Sequence, residues 1–429
     1  MFRKILFIMI AIQGVLLSAT VEEIAIEGEK SAMIYEADKT LPIVSMQIVF
    51  QNAGSIEDKK EAGLAQFTAK LLNEGTKKLG SVGFATALED SAIHLAAHAG
   101  TETFVLEISA LKEKFAQGVK LLTQLLADPN LTEESVKKIK ILMQAAIKRK
   151  ESNFDYIAAL NLKKELYHDT PIAQPSGGTM QSIEAITLAD VKRFITTHLV
   201  RSQAIIVAGG DMENKEAKLY AKEVLAVLAK GQKSELATFK VSKKAKDIEV
   251  YKETEQAFVY FGGPFNLDAN DSEVYKAKVA AFILGAGGFG SRMMEEIRVK
   301  RGLAYSAYAK VNFAKSHSDF SGYLQTKLES KDEAIKLVKS LIANFVKKGV
   351  TKDELEQAKK FLLGSEPLRN ETLSQRLSRS FQEYYNGFKL GHKKEELKKI
   401  EALKLEDLND FIKKHDEINH LTFSVVTKK

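Results

Sequence analysis

Two stretches of similar plan, joined by a lysine-rich segment with no apolar periodicity, constrain the fold of this 429-residue chain more than any other feature. In the first, LPIVSMQIVFQNAG from Leu41 alternates apolar and polar residues, the pattern of a half-buried strand. Glu61–Glu74 then shows helical spacing, and AIHLAAHAGTETFVLEIS from Ala92 reads as two strands joined near Ala99–Gly100. Helical patterns follow over Leu111–Asp128 and Thr132–Glu151, and Ser202–Gly209 returns as a strand ending in a Gly-Gly-Asp turn. In the second stretch, QAFVYFGGPF from Gln256 corresponds to the first strand and Ser272–Leu284 to the Glu61–Glu74 helix. Ser318–Gln325 and Leu421–Val426 read as strands, Lys331–Lys348 and Thr351–Leu363 as helices. Between the two lies KGQKSELATFKVSKKAKD, which reads as a linker over 230–247. The expectation is an α+β chain with two similar domains, 20–229 and 248–429, from an internal duplication.

Composition narrows the function. Apolar residues make up 45% and charged residues 28%, which are globular values. The chain has no cysteine, which excludes disulfides, thiol catalysis and cysteine-ligated zinc. Arg3 and Lys4 precede the apolar run ILFIMIAIQGVLL, and Ser18 and Ala19 suit cleavage before Thr20, although Leu17 departs from the small residue preferred there. Residues 1–19 therefore read as an export signal, and the mature protein is expected in the periplasm or outside the cell with no integral membrane span. The net charge of +7 comes from lysines scattered along helices. No clustered basic stripe with interleaved aromatics is present, so nucleic acid is not an expected partner.

The histidines offer little. His94 and His98 share a strand, where their separation is about 13 Å, too far for one ion to bridge without a bend. They read as ordinary strand histidines. His415 and His420, near the C-terminus, read as solvated.

GLAQFTAKLLNEGTK, Gly63–Lys77, resembles the active-site helix of the pitrilysin/insulinase family, whose frame is roughly G-L-A-H-F-L-E-H-M-L-F-x-G-T. In active members the two histidines bind zinc and the glutamate is the general base. Here Gln66 and Lys70 stand at the histidine positions and Ala69 at the base, while Gly63, Leu64, Ala65, Phe67, Leu71, Gly75 and Thr76 match. The family's distal glutamate ligand falls near Ala146, in VKKIKILMQAAIKRK, which has no carboxylate. A glutamine amide is a poor zinc ligand, a lysine ammonium repels a dication, and a methyl group takes no proton from water. The resemblance extends along most of the chain. LYHDTPIAQPSGGTMQSI, Leu166–Ile183, is similar to the family's H-P-Y-G-x-P-x-x-G-T-x-E-S-I stretch. GAGGFGSRMMEEIRVKRGLAYS is similar to its G-G-x-x-S-R-L-x-x-x-[LI]-R-x-x-x-G-L-A-Y block.

The resemblance implies a fold of two similar halves, each an antiparallel-rich sheet packed with helices about a pseudo-two-fold axis. It places on Arg298 and Tyr305 the arginine and tyrosine that hold substrate backbone and oxyanion in active relatives. Both side chains donate hydrogen bonds to developing negative charge. The glycines Gly285, Gly287, Gly288 and Gly290 follow one helical segment and precede another, so they read as a helix–helix connection rather than a nucleotide loop. The strand region 91–107 corresponds to an edge strand that captures extended peptide in the family. The functional expectation is a non-zinc subunit of an exported heterodimeric zinc endopeptidase, inactive alone. Its cofactor zinc would sit in a zinc-bearing paralogous partner, and peptides would be the substrate. The alternative is a catalytically inactive structural or peptide-binding protein.

Overall fold

The computed structural model describes residues 19–429. The segment read as an export signal lies outside the described residues except for Ala19. No described helix is long and apolar enough to cross a membrane.

The strands are β1 (Thr20–Ile26), β2 (Glu29–Ala37), β3 (Ile43–Gln51), β4 (His94–Ala99), β5 (Thr103–Leu111), β6 (Ala204–Gly210), β7 (Ile248–Tyr251), β8 (Gln256–Pro264), β9 (Ala304–Phe313), β10 (Ser318–Lys327) and β11 (Thr422–Thr427). They form two sheets, in the orders β1-β2-β6-β3-β5-β4 and β7-β11-β8-β10-β9. The second repeats the last five positions of the first. β2 pairs parallel with β6, and β7 with β11, whereas the remaining neighbours are antiparallel. The expected pair of antiparallel-rich α+β halves is therefore present. β1 is an addition to the first sheet, and the sequence pattern singled out neither it nor β2, nor β7 of the second sheet.

The helices of the first stretch are α1 (Leu64–Leu72), α2 (Gly80–Glu89), α3 (Lys112–Ala127), α4 (Glu133–Lys150), α5 (Phe154–Leu166), α6 (Met180–Ala185), α7 (Leu188–His198) and α8 (Asn214–Ala226). Those of the second are α9 (Val274–Ala281), α10 (Lys331–Lys348), α11 (Lys352–Gly364), α12 (Leu373–Tyr385), α13 (His392–Ala402) and α14 (Leu405–Lys414). Their starts are chemically marked. Thr132, Thr187, Thr351 and Thr372 each accept a hydrogen bond from a backbone N–H of the first turn, a standard N-cap.

Alternation along the strands assigns the faces. Val44, Met46, Ile48 and Phe50 of β3 point to one side, where they pack with Leu64 and Phe67 of α1, Phe115 of α3, Val136 of α4, Phe194 of α7 and Val224 of α8. Val49, with Ile34, Ile205 and Val207, points to the other side and lies under Leu377 and Tyr385 of α12. In the second sheet, Val259 and Phe261 face Val274, Val338, Leu355, Ile400 and Phe411, one from each of α9, α10, α11, α13 and α14. The opposite side of that sheet, at Tyr260, meets Leu162 and Leu166 of α5. The two halves thus exchange helices. α5, from the first stretch of sequence, covers the second sheet, and α12, from the second, covers the first.

The segment read as a linker has no regular secondary structure, yet it is packed. Leu236, Phe239 and Val241 lie against Ile56, Leu162 and Tyr167. Its backbone is held at both ends and the middle, by Asn52 Nδ2 to the Ser234 carbonyl at 2.6 Å, Phe239 N to the Ser316 carbonyl at 2.7 Å and Ser242 N to the Leu166 carbonyl at 2.6 Å.

Candidate functional site

Helix α1 begins where the chain cannot bear a side chain. Gly63 has φ of 96°, and a Cβ there would stand 2.9 Å from Gly178 Cα, itself in a loop with φ of 76°. This contact ties the two glycine-bearing motifs of the first half together, and Ser182 Oγ donates to the Ala62 carbonyl at 2.7 Å beside it. The buried carboxylate of Asp58 completes the helix start, accepting from Gly63 N and Ala65 N at 2.8 Å each. Burial pushes Asp58 up to about 7, against the pull of those two bonds.

Of the positions that the resemblance assigns to the metal site, one is engaged elsewhere. Gln66 Nε2 donates to the Ala99 carbonyl of β4 at 3.2 Å. Ala69 is buried and Lys70 is exposed. Ala146 is half-buried on α4. An engaged amide, a methyl and an ammonium do not form a zinc donor set. Among the described residues, no three His, Cys, Asp or Glu side chains converge as a metal site.

The strand reading of His94 and His98 holds, but their rings are not independent. Both Nε2 atoms approach Glu107 Oε1 of β5, at 3.1 and 3.0 Å. Side chains of one strand face lean together over the neighbouring strand, so the backbone spacing overstated the distance between the ring nitrogens. Burial acts to raise the Glu107 carboxyl, yet the two imidazoles outweigh it and hold it below the usual range. The reading of His415 as solvated is corrected. Its ring is buried between Phe265 and Phe411, with centroid distances of 5.0 and 4.4 Å, and Nδ1 lies 2.9 Å from Glu417 Oε1.

Arg298 and Tyr305 come together in the second half. The glycine-bearing loop joins two helical segments as expected, and both are π-wound, Phe282–Ala286 and Met294–Val299. Such turns are rare and concentrate at functional sites. The wide second turn carries Arg298, and Tyr305 follows at the start of β9. The guanidinium carbon of Arg298 lies 4.6 Å from the Tyr305 ring centre and 4.8 Å from that of Phe289, at the tip of the glycine loop. Tyr305 is 78% exposed and Phe289 70% exposed. Among the described residues Arg298 has no carboxylate partner, unlike its neighbour Arg292, whose guanidinium is paired with Glu354 at 2.6 Å. A cation held between two open rings is oriented by cation–π attraction and keeps its N–H groups available. Phe289 was not singled out from sequence, although a lone aromatic inside a glycine run was a visible signal. No hydrogen bond or ion pair among the described residues links this group to Gln66, Lys70 or Ala146.

Comparison with known proteins agrees with the geometry. The profile of the insulinase family, peptidase family M16, matches residues 32–180, and that of the M16 inactive domain matches residues 185–362. A Helicobacter pylori protein described as the non-peptidase homolog YmxG is 43% identical over 404 residues, covering 94% of this chain and 93% of that protein. The beta subunit of the mitochondrial-processing peptidase of Saccharomyces cerevisiae is 23% identical over 185 residues, covering 43% of this chain and 40% of that one. The crystal structure of a peptidase M16 inactive domain from Pseudomonas fluorescens superposes with a TM-score of 0.86 at 26% identity, covering 96% of this chain and 99% of that one. With both family profiles in register along most of its length and the two sheets in place, this chain belongs to the insulinase family of peptidases, family M16.

Proposed function

We propose that this chain is the non-zinc subunit of an exported, two-chain zinc endopeptidase, supplying Arg298, Tyr305 and part of the substrate chamber. The observation that carries the reading is the contrast between the two halves. The α1 positions that would hold a metal are chemically unfit, while the second half presents a half-buried Arg298, with no carboxylate partner among the described residues, held against the exposed rings of Tyr305 and Phe289. Zinc bound in the partner would supply the activated water. This chain's part is positioning: the Arg298 guanidinium and the Tyr305 hydroxyl donate hydrogen bonds to the peptide carbonyl and to the negative charge that develops on it. The names of two relatives fit this division. One is a non-peptidase homologue and another is a subunit of a peptidase.

The test is to combine the purified chain with a zinc-bearing family member from the same organism and assay cleavage of a quenched fluorescent peptide. The pair should cleave where neither chain does alone, and Arg298→Ala should lower kcat/KM by about 100-fold, the scale of losing one oxyanion donor. An inactive pair, or a pair indifferent to Arg298→Ala, overturns the proposal in favour of a structural, non-peptidase role.

A further inference from the structure

β4 closes one end of the first sheet, and among the described residues it pairs only with β5. The outward backbone groups of an edge strand are a template for any extended chain. Here three of them, at Ala97 and Ala99, are already taken, and by the helix that resembles a zinc helix. Asn73, the residue that ends α1, accepts from Ala97 N through Oδ1 at 2.7 Å and donates from Nδ2 to the Ala97 carbonyl at 3.1 Å. One side-chain amide thus makes both hydrogen bonds that a residue of an added antiparallel strand exchanges with its opposite number. Gln66, seven residues earlier and on the same face of the helix, donates to the Ala99 carbonyl at 3.2 Å, at the next outward position of the strand.

We propose that the outward edge of β4 is an interaction surface whose occupant is the chain's own helix α1. Asn73 and Gln66 act as a surrogate strand and exclude extended peptide from Ala97–Ala99. The residue at the former ligand position, Gln66, therefore has a positive role: it seals the strand against which a peptide would lie. The three bonds are intramolecular and pre-formed, so a peptide must break all three to pair with the same groups. The peptide would gain no more hydrogen bonds than it breaks, which leaves the exchange without a driving force. This inference stands on the geometry of β4 alone and is independent of any zinc-bearing partner.

The test uses the full mature chain by itself, with a short, fluorescein-labelled peptide of alternating apolar and polar residues as the probe. The wild-type chain should show no saturable binding by anisotropy. Asn73→Ala combined with Gln66→Ala should gain binding by at least about tenfold in affinity. Amide hydrogen exchange provides a second readout that needs no peptide. The Ala97 amide should exchange slowly in the wild type and markedly faster in Asn73→Ala. Asn73→Asp keeps the acceptor for Ala97 N but loses the donor to its carbonyl, and should retain slow exchange at Ala97. Saturable wild-type binding that cross-links to β4, a double variant that gains nothing, or an Ala97 amide indifferent to Asn73→Ala would each overturn the proposal.

Discussion

The Tyr167 hydroxyl, just beyond α5, donates to the Asp319 carboxylate of β10 at 2.9 Å, and both side chains are buried. Burial, and then the adjacent Asp319 charge, push the phenol well above its ordinary range, so it remains a donor. The pair fastens the first stretch's helix to the second stretch's sheet. Tyr167→Phe leaves Asp319 Oδ2 without this donor, although Asn312 Nδ2 still serves Oδ1 at 2.7 Å. The expected cost is about 1–3 kcal/mol, read as a lower urea midpoint at unchanged slope. Tyr156→Phe, on the same helix with no hydrogen-bond partner for its hydroxyl among the described residues, should stay within about 0.5 kcal/mol.

Arg376 of α12 makes the reciprocal fastening on the first sheet. Its guanidinium pairs with buried Glu36, and with Asp38 at 2.5 Å. Arg376→Met would strand a buried carboxylate and should cost about 3 kcal/mol at neutral pH. The Asp38 carboxyl is held below its usual range, by Thr40 first, with Arg376 contributing. A lowered folded-state pKa gives stability that is present above the unfolded value of 3.8 and lost as pH falls. The difference between wild type and variant should therefore narrow on acidification below that range, measured by chemical denaturation at each pH.

These two pairs mark where the sequence stopped being readable. Strands such as β3, β5 and β8 and helices such as α1, α3 and α10 were legible because alternation and helical spacing report burial directly, as at Met46, Ile48 and Phe50 against Phe67, whereas β2, α8, α13 and α14, which also line the cores, were not singled out. Threonine caps set several boundaries to within a residue. The exchange of α5 and α12 was not legible. Periodicity shows that a helix has an apolar face, as Leu162 and Leu166 do, but not which sheet that face covers. The linker's lack of regular structure was legible but its packing was not, since its apolar residues are too sparse to show a period yet are enough to pack at Leu236, Phe239 and Val241. At the candidate site, what residue type alone made legible is that Gln66, Ala69 and Lys70 are not the histidines and glutamate of the family's zinc helix. The hydrogen bonds of Gln66 and Asn73 to β4 depend on how the helix lies on the strand, and no spacing rule carries that.

Restoring residues to α1 tests whether its frame is still that of a metal helix. Gln66→His and Lys70→His, one turn apart on one face, supply two ligands, and Ala69→Glu supplies a base that does not bind metal. Two ligands are fewer than a protein zinc site uses. The triple variant should therefore bind zinc weakly, and Ala146→Glu added to it should tighten binding by at least about tenfold if α4 lies where a third ligand is needed. The wild-type chain should retain no stoichiometric zinc through gel filtration. Titration calorimetry and metal analysis of the three proteins check the series, and equal affinity with and without Ala146→Glu would move the third position elsewhere on α4.

Asp58 gives the helix start a pH dependence of definite sign. Its carboxyl is buried and raised from 3.8 to about 7, so between those values the folded state holds a proton that the unfolded state has lost. Stability from this group is therefore complete below the lower value and falls as pH rises, by on the order of 2 kcal/mol between pH 5 and pH 7. Half-buried His198 and His317 work the other way. Burial lowers both from 6.5, so their contribution is present above that value and lost as pH falls below it. The wild-type profile mixes the two signs, and the Asp58 part is isolated by subtracting the profile of Asp58→Asn. The asparagine still offers one acceptor to Gly63 N or Ala65 N but does not titrate. Urea denaturation across this range should show the wild type losing stability relative to Asp58→Asn as pH rises. A difference that is flat, or that grows in the opposite direction, would mean that the two backbone bonds at 2.8 Å outweigh burial and keep Asp58 ionised.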